Sequence, residues 1–137
     1  FARERPIDMR LLDVRDELDP QPMAPRQLGW MRVPGRLPDD ERLHQCALAY
    51  LSDWSLLDTC IRPHAVSWMQ EQLQTASLDH AMWFHRPFRA DEWLLYVQDS
   101  PAASGARGLN RGLIYRQDGT LVASVAQEGL IRLRDAG

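Results

Sequence analysis

Residues Asp39 to Leu57 read DDERLHQCALAYLSDWSLL, and the character of this stretch decides the fold. Pro38 stops what precedes it, and Asp39 or Asp40 can accept hydrogen bonds from the first free backbone N–H groups of a helix. Leu43, Cys46, Ala47, Tyr50, Trp54 and Leu57 recur at three- and four-residue steps, which predicts a helix with this stripe buried. Every residue from Cys46 to Leu51 is apolar or aromatic, so that part has no wet face and the helix is expected at the centre of the fold. Asp53 falls on the same stripe. It reads either as a helix end turning to water or as a core-facing carboxylate, which is costly unless partnered and is then often catalytic.

With 137 residues the chain is expected to form one domain, 1–137, with a core of its own. Its 45% hydrophobic and 26% charged content fits a soluble globular protein. A net charge of -3 argues against a nucleic-acid module working through a general positive surface. All 16 basic residues are arginine, a type suited to phosphate contacts. Two cysteines make no disulfide scaffold, so a reducing, cytoplasmic setting is expected. No apolar run is long enough to span a bilayer. The chain begins with Phe1 rather than Met, as expected of a piece of a longer protein.

On either side of the helix the pattern alternates. Pro6 to Val14 and Gln27 to Val33 read as strands, separated by the Pro-rich connector DPQPMAP. Arg62-Pro63 ends helical structure, and Ala65 to Gln74 is ambiguous. Ala76 to Phe88 and Glu92 to Asp99 are predicted strands, with Ser100 to Gly105 as a turn. Arg107 to Tyr115 and Thr120 to Leu133 flank Gln117-Asp118-Gly119, a hairpin turn. Gln127 stands on the last strand's core face, where a plain hydrogen bond to a neighbour is the simplest reading. One long buried helix with antiparallel strands curled around it is an α+β fold.

Metal binding is not expected. His44 and Cys46 point to nearly opposite sides of a helix, and Cys60 with His64 makes half a site. A nucleophile served by His80 or His85 lacks a GxSxG elbow. Adjacent strand residues Asp79 and His80 would face apart, so His80 reads as bonded to backbone. Arg107-Gly108 and Arg111-Gly112 form a small basic patch, either solvated surface or a phosphate contact.

The blocks WMRVPGRLPDDERLHQCALAYLSD, SLDHAMWFHRPF, DEWLLY, GARGLNRG and DGTLVASVAQEG, in this order from Trp30 to Gly129, resemble the C-terminal half of the TesB-like type II acyl-CoA thioesterases. The resemblance runs from Pro6 to Arg132 and implies a hotdog fold, one long helix gripped by a curved antiparallel sheet. It implies a catalytic trio of Asp53 in AYLSD, Ser77 in SLDH and Gln127 in AQEG. The family chain holds two hotdogs where this one holds one, which implies pairing with a second hotdog, either the missing half or another copy.

The implied activity is hydrolysis of fatty acyl-CoA to a free acid and coenzyme A, with acyl-CoA as substrate and no cofactor. A thiol, with a pKa of about 8.5, leaves without a strong general acid. The reaction needs an oriented water and a stabilised oxyanion. Asp53 would hold or deprotonate that water, with Ser77 and Gln127 also holding it. Arg107 and Arg111 are candidates for substrate phosphates. Two other readings are a hotdog hydratase or dehydratase, which usually needs a histidine beside the acid, and a non-catalytic acyl-CoA-binding or assembly subunit.

Overall fold

The central helix, α1, runs from Glu41 to Asp53. The Asp40 carboxylate accepts from the Arg42 N–H at 3.0 Å and caps it, one of the two residues expected to do so. A turn over 54–57 follows, then a one-turn helix α2, Asp58–Ile61. The structure, a computed structural model, describes residues 7–12, 22–63 and 73–133. The strands are β1 Asp8–Leu11, β2 Arg26–Arg32, β3 Leu73–Ser77, β4 Ala81–Phe84, β5 Leu94–Ser104, β6 Arg107–Arg116 and β7 Leu121–Leu133. Residues 19–21 of the Pro-rich connector, His64 of the half metal site and 65–72 of the ambiguous stretch lie outside the described residues.

All strand pairs are antiparallel, in the order β1-β2-β5-β6-β7-β3, with β4 also paired to β7. The inner face of this curved sheet receives α1. Leu48 and Leu51 of the helix join Met31, Leu94, Tyr96, Ile114 and Val125 in one buried cluster. Burying such aliphatic side chains contributes roughly 1.5–3 kcal/mol each and holds the helix to the sheet. The α+β architecture expected from the pattern is therefore the one observed.

The buried face of α1 differs from the expected one. Its buried residues are His44, Leu48, Leu51 and Ser52, while Leu43, Cys46, Tyr50 and Asp53 are exposed on the other side. Of the predicted stripe only Ala47 and Leu57 reach core clusters. The reason is local chemistry. A helix apolar on every side offers no contrast for periodicity to detect, and two polar residues are buried because each is bonded. The Ala90 N–H donates to His44 Nδ1 at 2.9 Å, so the ring's Nε2–H donates to the Pro38 carbonyl, also at 2.9 Å. Ser52 Oγ donates to the Ala49 carbonyl at 2.9 Å.

Two strand expectations also change. The predicted Ala76–Phe88 strand is interrupted at 78–80, giving β3 and β4. The predicted turn at Ser100–Gly105 is mostly strand, because a bulge between Asp99 and Ala102 absorbs Pro101 and the chain reverses only at Gly105-Ala106. The Gln117-Asp118-Gly119 hairpin turn is present, with Gly119 at φ 88°.

Candidate active site

The last turn of α1 faces the segment joining β3 to β4 across a cleft of about 340 Å³. Asp53 and Tyr50 line one side, and Ser77, Asp79 and His80 line the other. Asp53 is the final residue of the helix, where the dipole's negative end disfavours a carboxylate, and that last turn has no basic residue. The helix is thus locally worse for carrying an acid there. Asp53 is exposed to this cleft rather than facing the core, so the helix-end reading describes its position.

The interruption after β3 has a definite cause. The Leu78 N–H donates to the Glu128 carbonyl at 2.9 Å, and the Asp79 carboxylate accepts from the Glu128 N–H at 2.7 Å. A side chain thus takes over a main-chain ladder position on β7, and strand alternation is lost at 78–80. His80 is released from the parity that sequence alone assigned to it. Instead of backbone, it meets two side chains.

Behind the cleft lies a continuous polar chain. Gln127, 1% exposed, donates from Nε2 to Ser77 Oγ at 2.8 Å. Its Oε1 forms a very short hydrogen bond with His80 Nδ1. On the other side of the ring, His80 Nε2 and Ser52 Oγ are 2.8 Å apart. The Tyr96 hydroxyl donates to the Ser52 carbonyl at 2.8 Å. Burial, with the Asp53 charge nearby, pushes the Tyr96 pKa up, so the phenol stays a donor. Gln127 is therefore hydrogen-bonded to its neighbours, as its core-facing position suggested, and those neighbours are Ser77 and His80. The structure brings Asp53 and Ser77 to one cleft, with Gln127 directly behind Ser77.

Packing holds these parts in place. Gly129 pairs with Ser77 in the β3–β7 register, and a Cβ there would stand 2.1 Å from Leu57 Cδ1. The glycine lets the turn after Asp53 close onto β7 beside Ser77. Gly108 and Gly112 play the same part for Cys60 and the Tyr96 ring. The glycines of the Arg-Gly pairs are thus packing residues.

Arg107 and Arg111 are not at the cleft. Both lie on the sheet face opposite Gln127, since Asn110 is the β6 residue in register with Gln127 and side chains alternate. Arg111 holds Asp99 with two bonds of 2.7 and 2.8 Å, and Arg107 approaches Glu128 at 3.5 Å. A larger groove of about 750 Å³ follows this outer face, with Leu28, Val97, Leu113 and Arg111 among its walls, and none of the trio lines it. No group of three or more His, Cys, Asp or Glu able to hold a metal occurs among the described residues. His85 meets Ser124 at 2.9 Å at the surface, outside the cleft. His80 and Ser52 are the site-lining and site-supporting residues that sequence reasoning missed; the one available signal was the adjacency of His80 to the Ser77-Leu78-Asp79 motif.

Residues 1–130 match the family model described as acyl-CoA thioesterase. The chain is 43% identical over 134 residues to acyl-coenzyme A thioesterase 8 of Homo sapiens, covering 97% of this chain and 41% of that protein. It is 38% identical over 135 residues to acyl-CoA thioesterase 2 of Haemophilus influenzae, covering 98% and 47% respectively. The crystal structure of acyl-CoA thioesterase II TesB2 from Mycobacterium marinum superposes with a TM-score of 0.82 at 52% identity, over 96% of this chain and 51% of that one. A hot dog fold protein from Alicyclobacillus acidocaldarius, at 18% identity and TM-score 0.71 over 95% of this chain and 47% of that one, shares the fold. The chain spans about half the length of the curated relatives it matches. With its curved antiparallel sheet around one long helix, it has the hotdog fold and belongs to the acyl-CoA thioesterase family.

Proposed function

We propose that this chain hydrolyses acyl-CoA thioesters, using a water held at the mouth of the cleft by Asp53 and Ser77. The observation that carries the reading is the shared cleft of Asp53 and Ser77, with Gln127 bonded to Ser77 from behind at 2.8 Å. In this scheme the Asp53 carboxylate takes a proton from water as its oxygen adds to the thioester carbonyl. The tetrahedral oxyanion then collapses, the C–S bond breaks and coenzyme A leaves as thiolate, which a proton then neutralises. Fatty acid and coenzyme A are the products. Gln127 acts mainly through Ser77, because the amide itself is almost wholly buried. Its donated hydrogen leaves the Ser77 hydroxyl proton free to meet the water or the developing negative charge.

Thioester hydrolysis followed with a thiol-trapping dye tests the proposal. Release of coenzyme A that is lost in Asp53→Asn supports it, and acyl-CoA binding without turnover would favour the non-catalytic reading. The hydratase reading gains a histidine at the cleft in His80, but both of its ring nitrogens are engaged by Gln127 and Ser52. A ring so engaged is poorly placed to act as the base.

The proposal extends to assembly. Leu43, Tyr50 and Trp54 leave an apolar outer face along α1 and its C-cap, and Leu78 and Phe84 lie exposed at the β3–β4 edge. Tyr50 and Leu78 also line the cleft, so the site opens onto this surface. A second hotdog is the proposed occupant, because the chain spans only about half of its relatives. Any contact of Arg107 or Arg111 with a substrate phosphate belongs to that paired assembly.

A further inference from the structure

We propose that His80 is a positioning residue that sets the direction of the hydrogen bonds running through Gln127 to Ser77. The proposal rests on the reading of Ser77 and Gln127 as part of the hydrolytic site. Nothing in the family resemblance or in the relatives' names assigns His80 a role.

A glutamine amide has one end that only accepts and one that only donates, so its orientation decides what each neighbour does. Here Oε1 faces His80 Nδ1, and Nε2 faces Ser77 Oγ. The ring must then carry its hydrogen on Nδ1. Ser77 receives a hydrogen from Gln127, which leaves its own O–H free to turn toward the cleft. With the hydrogen on Nε2 alone, the whole chain would reverse. Gln127 would donate to His80, its oxygen would accept the Ser77 hydrogen, and Ser77 would offer the cleft only lone pairs.

Ser52 makes the first polarity durable. With a neutral ring, the Ser52 hydroxyl turns its one hydrogen from the Ala49 carbonyl to His80 Nε2, 2.8 Å away. With a charged ring, Nε2–H donates to Ser52 while the Ser52 hydroxyl donates to the Ala49 carbonyl at 2.9 Å. Both states keep the hydrogen on Nδ1 and the amide in place. Ser52 is in turn fixed by burial and by the Tyr96 bond to its carbonyl. The chain from α1 through His80 to β7 and β3 thus ends in one hydroxyl of defined direction at the cleft.

The test combines a spectrum with a mutant series in the protein as isolated. Imidazole ¹⁵N shifts of His80 are expected to report a hydrogen on Nδ1; a ring protonated on Nε2 alone overturns the proposal. His80→Asn keeps a donor near the Nδ1 position, whereas His80→Leu removes it. His80→Leu is expected to lower kcat about tenfold with little change in KM, the rate equivalent of one hydrogen bond, and His80→Asn to recover most of it. Equal impairment of the two variants, at matched thermal midpoints, overturns the proposal, as does wild-type kcat in His80→Leu. If His80→Leu does not fold, the ¹⁵N spectrum and the kcat of His80→Asn carry the test. In a Gln127→Ala background His80→Leu is expected to add nothing, and a further tenfold loss there would show His80 acting independently. Failure of the underlying site reading looks different: Ser77→Ala and Gln127→Ala would then keep full activity.

Discussion

Gln127 donates to Ser77 across 2.8 Å from a strand fifty residues further along the chain. The two meet because β7 is long enough to pair with both β4 and β3, and Gln127 lies on its inner face, between those two pairings. Gln127→Ala removes the bonds that Ser77 Oγ and His80 Nδ1 make to the amide, leaving His80 only its Ser52 contact. It is expected to lower kcat by about one to two orders of magnitude with a much smaller rise in KM, as for a group acting on the water through Ser77 rather than on coenzyme A. Steady-state kinetics of the folded variant check this. A change in KM alone would place Gln127 in substrate binding.

Asp53 is exposed at the end of α1, so replacing it disturbs little packing. Asp53→Asn keeps the shape and removes the basic carboxylate. Activity is expected to fall by about two orders of magnitude, the scale of a general-base contribution. The thermal midpoint should hold or rise slightly, since a carboxylate leaves a helix C-terminus. Full hydrolysis by the folded variant would remove Asp53 from the mechanism.

Asp91 anchors the approach to α1. It accepts from the Leu37 N–H at 2.7 Å and from Arg89 at 3.0 and 2.9 Å. The Arg89 hydrogen bonds hold its pKa down, from 3.8 to about 2. A lowered folded pKa means the stabilisation is present above the unfolded value and is lost as pH falls through the folded one. Asp91→Asn should therefore cost roughly 1.5–3 kcal/mol at neutral pH. That deficit should shrink between about pH 4 and pH 2, and thermal melts across this range read it directly.

How far the sequence spoke for itself differs from element to element. Most of the strands, the hairpin at Gly119 and the core-facing Gln127 follow from alternation and turn chemistry, while the break at 78–80 and the extension of β5 through Pro101 do not. The helix face does not follow, because residues 46–51 are apolar all round and the buried side is chosen by what bonds His44 and Ser52. Asp53 stands out in the sequence as a carboxylate on an apolar stripe, but its grouping with Ser77 follows only from resemblance, since nothing in either residue's spacing ties helix to strand. His80 was out of reach for a different reason. Its direction depends on Asp79 capturing the Glu128 N–H, a contact between positions 49 apart that breaks local parity.

Gly129 offers a test of how tightly the site is packed from behind. Adding a methyl group would place Cβ 2.1 Å from Leu57 Cδ1. Gly129→Ala is expected to destabilise by about 1–3 kcal/mol, the usual range for overpacking, and to lower activity by displacing the turn after Asp53. Trimming the neighbour should relieve the clash, so Leu57→Ala combined with Gly129→Ala should lie well above the sum of the single effects. Simple additivity in urea melts would show that the two side chains do not compete.

The exposed side of α1 leads to the last prediction. Leu43, Tyr50 and Trp54 are 38%, 53% and 52% exposed, on a helix whose other side is wholly committed to the sheet. Exposed apolar side chains in a row along one helix face, next to a sheet edge where Leu78 and Phe84 are exposed, are what a pairing surface is expected to show. The chain is expected to associate through this surface. Leu43→Arg together with Trp54→Glu should weaken that association without touching Asp53, Ser77 or Gln127. Activity should fall with the loss of mass, because Tyr50 and Leu78 at the cleft lose their cover. Light scattering at low protein concentration, with activity measured on the same sample, decides the point. A stable and fully active species with the mass of one 15.8 kDa chain would show that the cleft works without a second hotdog.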